Sequence, residues 1–179
     1  MKKILFGYTL LELLITLTII AIIAAVAVPS FDSIMDNNKQ SAAINKLLGE
    51  LHFARSEAVK RARQVVICPS SNNNTCNTAQ TWADGWIMFI DNNRNNMHEN
   101  AEEILRIGEK FDRGLTVTVS HNLAKYIRYR SNGMTISPGE ITICDSRGSP
   151  KAQAIIINTI GRPQISQYNE VGGALICNQ

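Results

Sequence analysis

From Tyr8 to Val28 the chain is apolar apart from Glu12 and three threonines. The run has about the ~20 residues that a helix needs to cross a bilayer. A carboxylate in such a helix is costly, so Glu12 points to a specific chemistry: a charge removed from water must meet a positive partner. The residues before it carry a second signal. Lys2 and Lys3 lead through a few apolar residues to Gly7. An ordinary secretory signal has an apolar core of ~7–15 residues and a small-residue cleavage site after it. Here the glycine precedes the apolar run, so cutting after Gly7 would discard the lysines and keep the whole helix.

The other chemically capable residues are scattered. Cys68, Cys76, Cys144 and Cys177 form no Cys-x-x-Cys pair, and no histidine is spaced with them as a zinc site requires. In a domain delivered across a membrane an even cysteine count reads as disulfides. Three connectivities exist. The expected pairs are Cys68–Cys76, closing a short Asn-rich loop, and Cys144–Cys177, tying the C-terminus to a strand; each is worth about 2–4 kcal/mol. His52, His98 and His121 have no Ser, Cys or Asp arranged with them as a nucleophile would need. No Gly-rich phosphate loop is present. The chain is therefore expected to be no enzyme and to take no cofactor.

Asp91-x-Asn93-x-Asn95-Asn96 followed by Glu102 approaches a calcium-loop register, with Asn at the sixth position where Gly is usual. Its flanks read as strands rather than helices, and its carboxylates are few. A polar hairpin loop with self-bonding Asn side chains is the expectation, and no metal site. Trp82, Trp86, Phe89 and Tyr126 have the types of a base-stacking platform, but at sheet spacing they read as core.

The elements that position these residues follow from periodicity. Ile34, Ile44, Leu47, Leu48, Leu51, Ala54, Ala58 and Ala62 recur at three- and four-residue steps, with Lys39, Lys46, Glu50, Glu57 and Lys60 on other faces. Helical periodicity thus resumes after Pro29, which predicts one long, kinked helix from about Thr9 to Ala62. Its first half is suited to lipid and its second to packing on a domain. Strands are expected over 64–68, 86–90, 104–107, 115–119, 141–144 and 154–157. Two more, over 126–130 and 134–136, flank the hairpin dipeptide Asn132-Gly133, and residues 171–177 add a last one. The fold class is α+β: a long N-terminal helix, transmembrane in its first half, packed against antiparallel sheets. The expected organisation is a leader over 1–7, a membrane or assembly helix over 8–29, and a globular domain over 30–179 that includes the amphipathic half of the helix to about 62.

At 179 residues with 45 % hydrophobic residues the chain suits one modest domain plus an anchor. The formal charge is +3; losing Lys2 and Lys3 takes 18 basic residues to 16 against 15 acidic, or +1. The basic balance is therefore no nucleic-acid signature in itself.

The run Gly7-Tyr8-Thr9-Leu10-Leu11-Glu12 with its apolar continuation resembles the class III signal of type IV pilins and type II secretion pseudopilins. The resemblance implies that a prepilin peptidase cuts between Gly7 and Tyr8 and that Tyr8, a position more often Phe in the family, is N-methylated. It also implies that Glu12, fifth in the mature chain, sets assembly register against the α-amino group of a neighbouring subunit. Ala54-Arg55-Ser56-Glu57-Ala58, Val66-Ile67-Cys68-Pro69-Ser70, Cys76, Gly85-Trp86-Ile87, Asp91-Asn92-Asn93, Glu103-Ile104-Leu105-Arg106 and Ile143-Cys144-Asp145 look, in that order, like the FimT/FimU and GspH branch. A pilin-like fold is implied, held by a single span in the inner membrane with its globular domain in the periplasm, and later in a pilus. The implied partners are the major pilin, other minor pilins, the prepilin peptidase and the inner-membrane assembly platform.

Three roles follow from the resemblance: a subunit that primes a type IV pilus, a DNA-binding pilin for natural transformation, and a type II secretion pseudopilin. Some FimT-type minor pilins bind DNA through Gly-Arg-x-Arg; here the run is Gly161-Arg162-Pro163-Gln164, with the second cation lost. Arg162, Lys151 and Arg147 are the candidate DNA contacts, with Arg128 and Arg130 as candidate neighbours. The near-neutral mature charge argues against strong binding.

Overall fold

The computed structural model describes residues 9–77 and 81–177, without the side chains of 28–30. One helix, α1 (Leu10–Arg61), is followed by eight strands. Pro29 does not end α1; the helix continues through it. The chain divides into two compact units, Met1–Asn38 and Lys39–Gln179.

In the first unit α1 starts at Thr9, whose Oγ1 accepts the backbone N–H of Glu12 at 3.2 Å. Thr-x-x-Glu is the spacing of a capping box, and the bond satisfies one of the free donors of the first turn. Thr16 and Thr18 donate their hydroxyls back to the carbonyls of Leu13 and Ile15 at 2.9 and 2.8 Å. Both polar side chains are thus satisfied within the helix, as an apolar surrounding requires. The apolar side chains themselves are open on every face: Leu10, Ile15, Ile22 and Val26 are all at least half exposed. The most apolar 18-residue window of α1 has a mean hydropathy of 2.7.

In the second unit α1 carries a single stripe. Ala43, Ile44, Leu47, Leu51, Ala54 and Ala58 are buried, and they pack with inward side chains of both sheets. The first sheet has the order β3 (Ile104–Gly108), β2 (Trp86–Asp91), β1 (Gln64–Pro69), β5 (Ile127–Tyr129); the second has β4 (Thr116–Val119), β6 (Gly139–Cys144), β7 (Gln153–Ile157), β8 (Pro163–Ser166). Every pairing is antiparallel. Val65, Ile67, Met88, Ile127 and Tyr129 of the first sheet and Ile141, Ile143, Ile155 and Ile157 of the second share one core with the helix. Burying a side chain such as Leu51 contributes about 1.5–3 kcal/mol.

The first sheet is buried on its other face too. Val66, Cys68, Ile87 and Phe89 form a second cluster there, with Cys76, Ile104 and Tyr126 packed on it. This explains why β1 and β2 are near-continuous apolar runs rather than alternating ones. Gln40 stands in step with the apolar stripe yet is 3 % exposed. Its Nε2 donates to the carbonyls of Ile143 and Lys151 at 3.0 and 2.9 Å, pinning α1 to β6 and to the end of the β6–β7 connection.

Two expected strands are absent and one unexpected strand is present. Residues 134–136 leave the sheet after a turn closed by Gly133 N–H to Arg130 O at 2.8 Å, and the Ser137 N–H is taken by Thr135 Oγ1 at 3.2 Å. Residues 171–177 form turns instead: Asn169 Oδ1 accepts from Val171 and Gly173, and Leu175 is then buried beside the Cys144–Cys177 disulfide. The new strand is β8. Its Pro163 needs no ladder donor, because β8 is an edge strand and Pro163 its first residue.

The helix ends in a Schellman-type cap. Arg63 N–H reaches Ala58 O and Ala62 N–H reaches Val59 O, at 3.1 and 3.2 Å, with Ala62 at φ 53°. That position ordinarily takes Gly, since an L side chain in the left-handed region is strained. Ala62→Gly should therefore raise stability by about 1 kcal/mol, read as a higher urea midpoint at unchanged slope.

Candidate functional site

Gly7 and Tyr8, the expected cleavage and N-methylation positions, lie outside the described residues. Glu12 is exposed in the first turn of α1, and its carboxylate meets no cation among the described residues. A helix covered by lipid or by other helices would bury this carboxylate without a partner among the described residues.

The three basic candidates fall at two ends of β7. Arg147 lies in the β6–β7 connection, where its guanidinium embraces the Asp145 carboxylate through Nε at 3.1 and 3.0 Å and through a shorter Nη2 contact. Arg147 also donates its backbone N–H to Asp145 Oδ1 at 2.9 Å. Lys151 belongs to the same connection and gives its carbonyl to Gln40. Arg162 is exposed in the β7–β8 turn, beyond the other end of a five-residue strand. Its neighbours are different: Gly161 packs so closely on the Gly133 carbonyl that an added Cβ would lie 2.1 Å from it. Arg55 holds the same corner, donating Nε to Gly133 O at 3.0 Å. The β7–β8 turn, the turn after β5 and the end of α1 thus form one corner of the domain.

The 91–102 loop is held by its own polar atoms. Asp91 is 2 % exposed and accepts from Gln64 Nε2 and from the N–H groups of Arg94 and Asn96, at 2.7, 2.6 and 2.9 Å. Glu102 accepts from the N–H groups of Asn92 and Glu99. Arg94 and Asn96 adopt positive φ, the conformation for which Asn is suited. The carboxylates are thus occupied by the backbone of their own loop. His98 bridges two loops, its ring nitrogens 2.6 and 3.1 Å from the carbonyls of Asn74 and Glu102, and it stands edge-on to Phe89. His52 and His121 are exposed.

The aromatic residues are core. Trp82, Trp86 and Phe89 are buried, and Tyr126 packs on the outer cluster. Trp82 Nε1 donates to Leu123 O at 3.1 Å. Disulfides join Cys68 to Cys76 and Cys144 to Cys177.

A long N-terminal helix with an apolar first half, followed by two antiparallel sheets wrapped on its second half, is the pilin architecture. Minor pilin FimU of Pseudomonas aeruginosa superposes with a TM-score of 0.59 at 22 % identity, over 74 % of this chain and 92 % of that one. The minor pseudopilin EpsH of the type 2 secretion system of Vibrio cholerae superposes with a TM-score of 0.51 at 9 % identity, over 72 % and 96 %. These likenesses show a shared fold. No curated protein matches the sequence. Residues 6–28 match the prokaryotic N-terminal methylation motif, and residues 43–161 match the type II transport protein GspH family. The chain belongs to the GspH family.

Gln40 and Arg55 were not singled out as anchors by sequence reasoning. Gln40 carried a signal: a polar residue four before Ile44, on the apolar stripe. Arg55 carried none, because its acceptors are carbonyls brought by distant turns.

The Arg147 guanidinium beside Asp145 holds its carboxyl below the ordinary carboxylate range, against the opposing effect of burial. A depressed folded-state pKa stabilises above the unfolded value, about 4, and the contribution is lost as pH falls through the folded value. Asp145→Asn should therefore flatten the fall of stability with pH below about 4, and lower stability at pH 7, in thermal melts across an acid pH series.

Proposed function

We propose that this chain is a minor pilin that helps prime and assemble a type IV pilus, acting by packing between subunits and not by catalysis. One observation carries the reading: over residues 10–27 α1 is apolar on all faces and exposed, with Glu12 as its lone carboxylate. Such a surface needs lipid first and other helices afterwards. In this reading the precursor spans the inner membrane with Lys2 and Lys3 on the cytoplasmic side and the domain in the periplasm, as the positive-inside rule favours. A prepilin peptidase cuts after Gly7 and Tyr8 becomes the methylated N-terminus. The helix then leaves lipid for a bundle of pilin helices, drawing on the assembly platform, and Glu12 takes a neighbour's α-amino group. The domain meets the major pilin and other minor pilins through the edge strands β3, β4, β5 and β8.

The likeness to EpsH supports a second reading, a type II secretion pseudopilin built by the same steps. The DNA-uptake reading draws on Arg162 at the corner shared with the turn after β5.

Glu12→Ala should leave membrane insertion intact and prevent incorporation into fibres. It removes the partner of a buried ammonium, a loss of about 3–5 kcal/mol. The check is the chain's abundance in sheared surface fibres against its abundance in membranes. Normal abundance of the variant in fibres contradicts the role given to Glu12.

A further inference from the structure

Four arginines meet where α1, β1, β5 and the 91–102 loop come together. Arg63, Arg94, Arg128 and Arg130 line a concavity of about 390 Å³ with Ala62, Gln64, Ser131 and Ile136, and no carboxylate is on its wall. The fold builds it from the outer face of the first sheet. Tyr129 points inward and is fully buried, so its neighbours Arg128 and Arg130 take the opposite face. Strand pairing sets Val65 opposite Tyr129, which brings Gln64 beside Arg130. The loop after β2 then adds Arg94 at positive φ.

Among the described residues no carboxylate forms an ion pair with any of these four guanidiniums. Arg61, Arg106 and Arg147 each pair with a carboxylate. Among the described residues Arg63 and Arg128 find only the neutral amide oxygens of Asn92 and Asn96, and the guanidiniums of Arg94 and Arg130 find no acceptor. The carboxylate that adjoins the wall, Asp91, is already taken by Gln64 and two backbone N–H groups. Arg128 is fixed in advance: Asn96 Oδ1 holds its Nη1 at 3.1 Å, Tyr126 lies 5.6 Å from its guanidinium, and its Nε is buried without a partner. Four like charges around one concavity repel one another unless an anion joins them.

We propose that this arginine cleft is a binding site for phosphoryl oxyanions, taking a chain of phosphates. Guanidinium forks match the oxygens of phosphate and carboxylate alike. Four guanidiniums against the one adjoining carboxylate, Asp91, with room beyond a single group, select a multiply charged phosphate chain over a lone carboxylate. The wall has no aromatic side chain to stack a base, so a phosphodiester strand would be held by its backbone alone, without regard to sequence. The site is separate from Arg147 and Lys151, and it stands whether or not the chain assembles into a pilus.

The test is a titration of the full chain in neutral detergent micelles with inorganic tripolyphosphate, repeated across a salt series. Saturable binding is expected at low salt. Arg94→Ala with Arg130→Ala should weaken it at least about tenfold and reduce its salt dependence. Both side chains are exposed, and an unchanged thermal midpoint verifies the fold. Arg94→Glu alone should weaken it as well, and Arg113→Ala, exposed between β3 and β4, should not. Displacement of tripolyphosphate by a thymidine oligonucleotide would identify a phosphodiester strand as the preferred source, and failure to displace it the small anion; both uphold the site. Absence of saturable binding, equal affinity in the double variant, or tighter binding of tricarballylate than of tripolyphosphate overturns the proposal.

Discussion

The structure depends on one helix meeting two surroundings. Over residues 10–27 α1 has no polar face, and the hydroxyls of Thr16 and Thr18 are turned back onto its own carbonyls. Over its second half the apolar residues narrow to a stripe that both sheets bury. The first half gains nothing by folding in water and everything by being covered. The second half is covered already. In the proposed role such a chain is completed by other subunits, and Glu12, a charge placed at the edge of the uncovered surface, makes that completion specific.

The rest of the domain keeps the covered half in place. Gln40 ties the helix to the second sheet by two carbonyls, and Arg55 ties it to the turns after β5 and β7. The outer face of the first sheet is sealed by the 91–102 loop and by the loop closed through Cys68–Cys76. The last residues are held by Leu175 and the Cys144–Cys177 bond rather than by a strand. Asp91 and Glu102 are occupied largely by N–H groups of the 91–102 loop, which leaves the arginines at the sheet edge without an ion-paired carboxylate.

Much of this was legible in the sequence. The three- and four-residue steps of Ile44, Leu47, Leu51, Ala54 and Ala58 gave the helix and its buried face, and the β-branched runs gave six of the eight strands within a residue or two. A seventh, β5, was foreseen as half of a hairpin that the fold does not complete, because Gly133 turns the chain toward the helix instead. β8 was hidden by Pro163, a residue that reads as a breaker unless the strand is known to lie at an edge. The proposed binding surface was less legible. Arg162, Lys151 and Arg147 are close in sequence but divided by β7, whereas Arg63, Arg94, Arg128 and Arg130 are distant in sequence and brought together by strand pairing. Periodicity reports which face a residue takes; it does not report which remote loop arrives beside it.

In the proposed role this chain enters a fibre as a processed subunit. The most direct test is the intact mass of the chain recovered from fibres sheared off the cell surface. The prediction is a mature chain that begins at N-methylated Tyr8, with Cys68–Cys76 and Cys144–Cys177 oxidised. A chain found only in membranes, with residues 1–7 still attached, would contradict it.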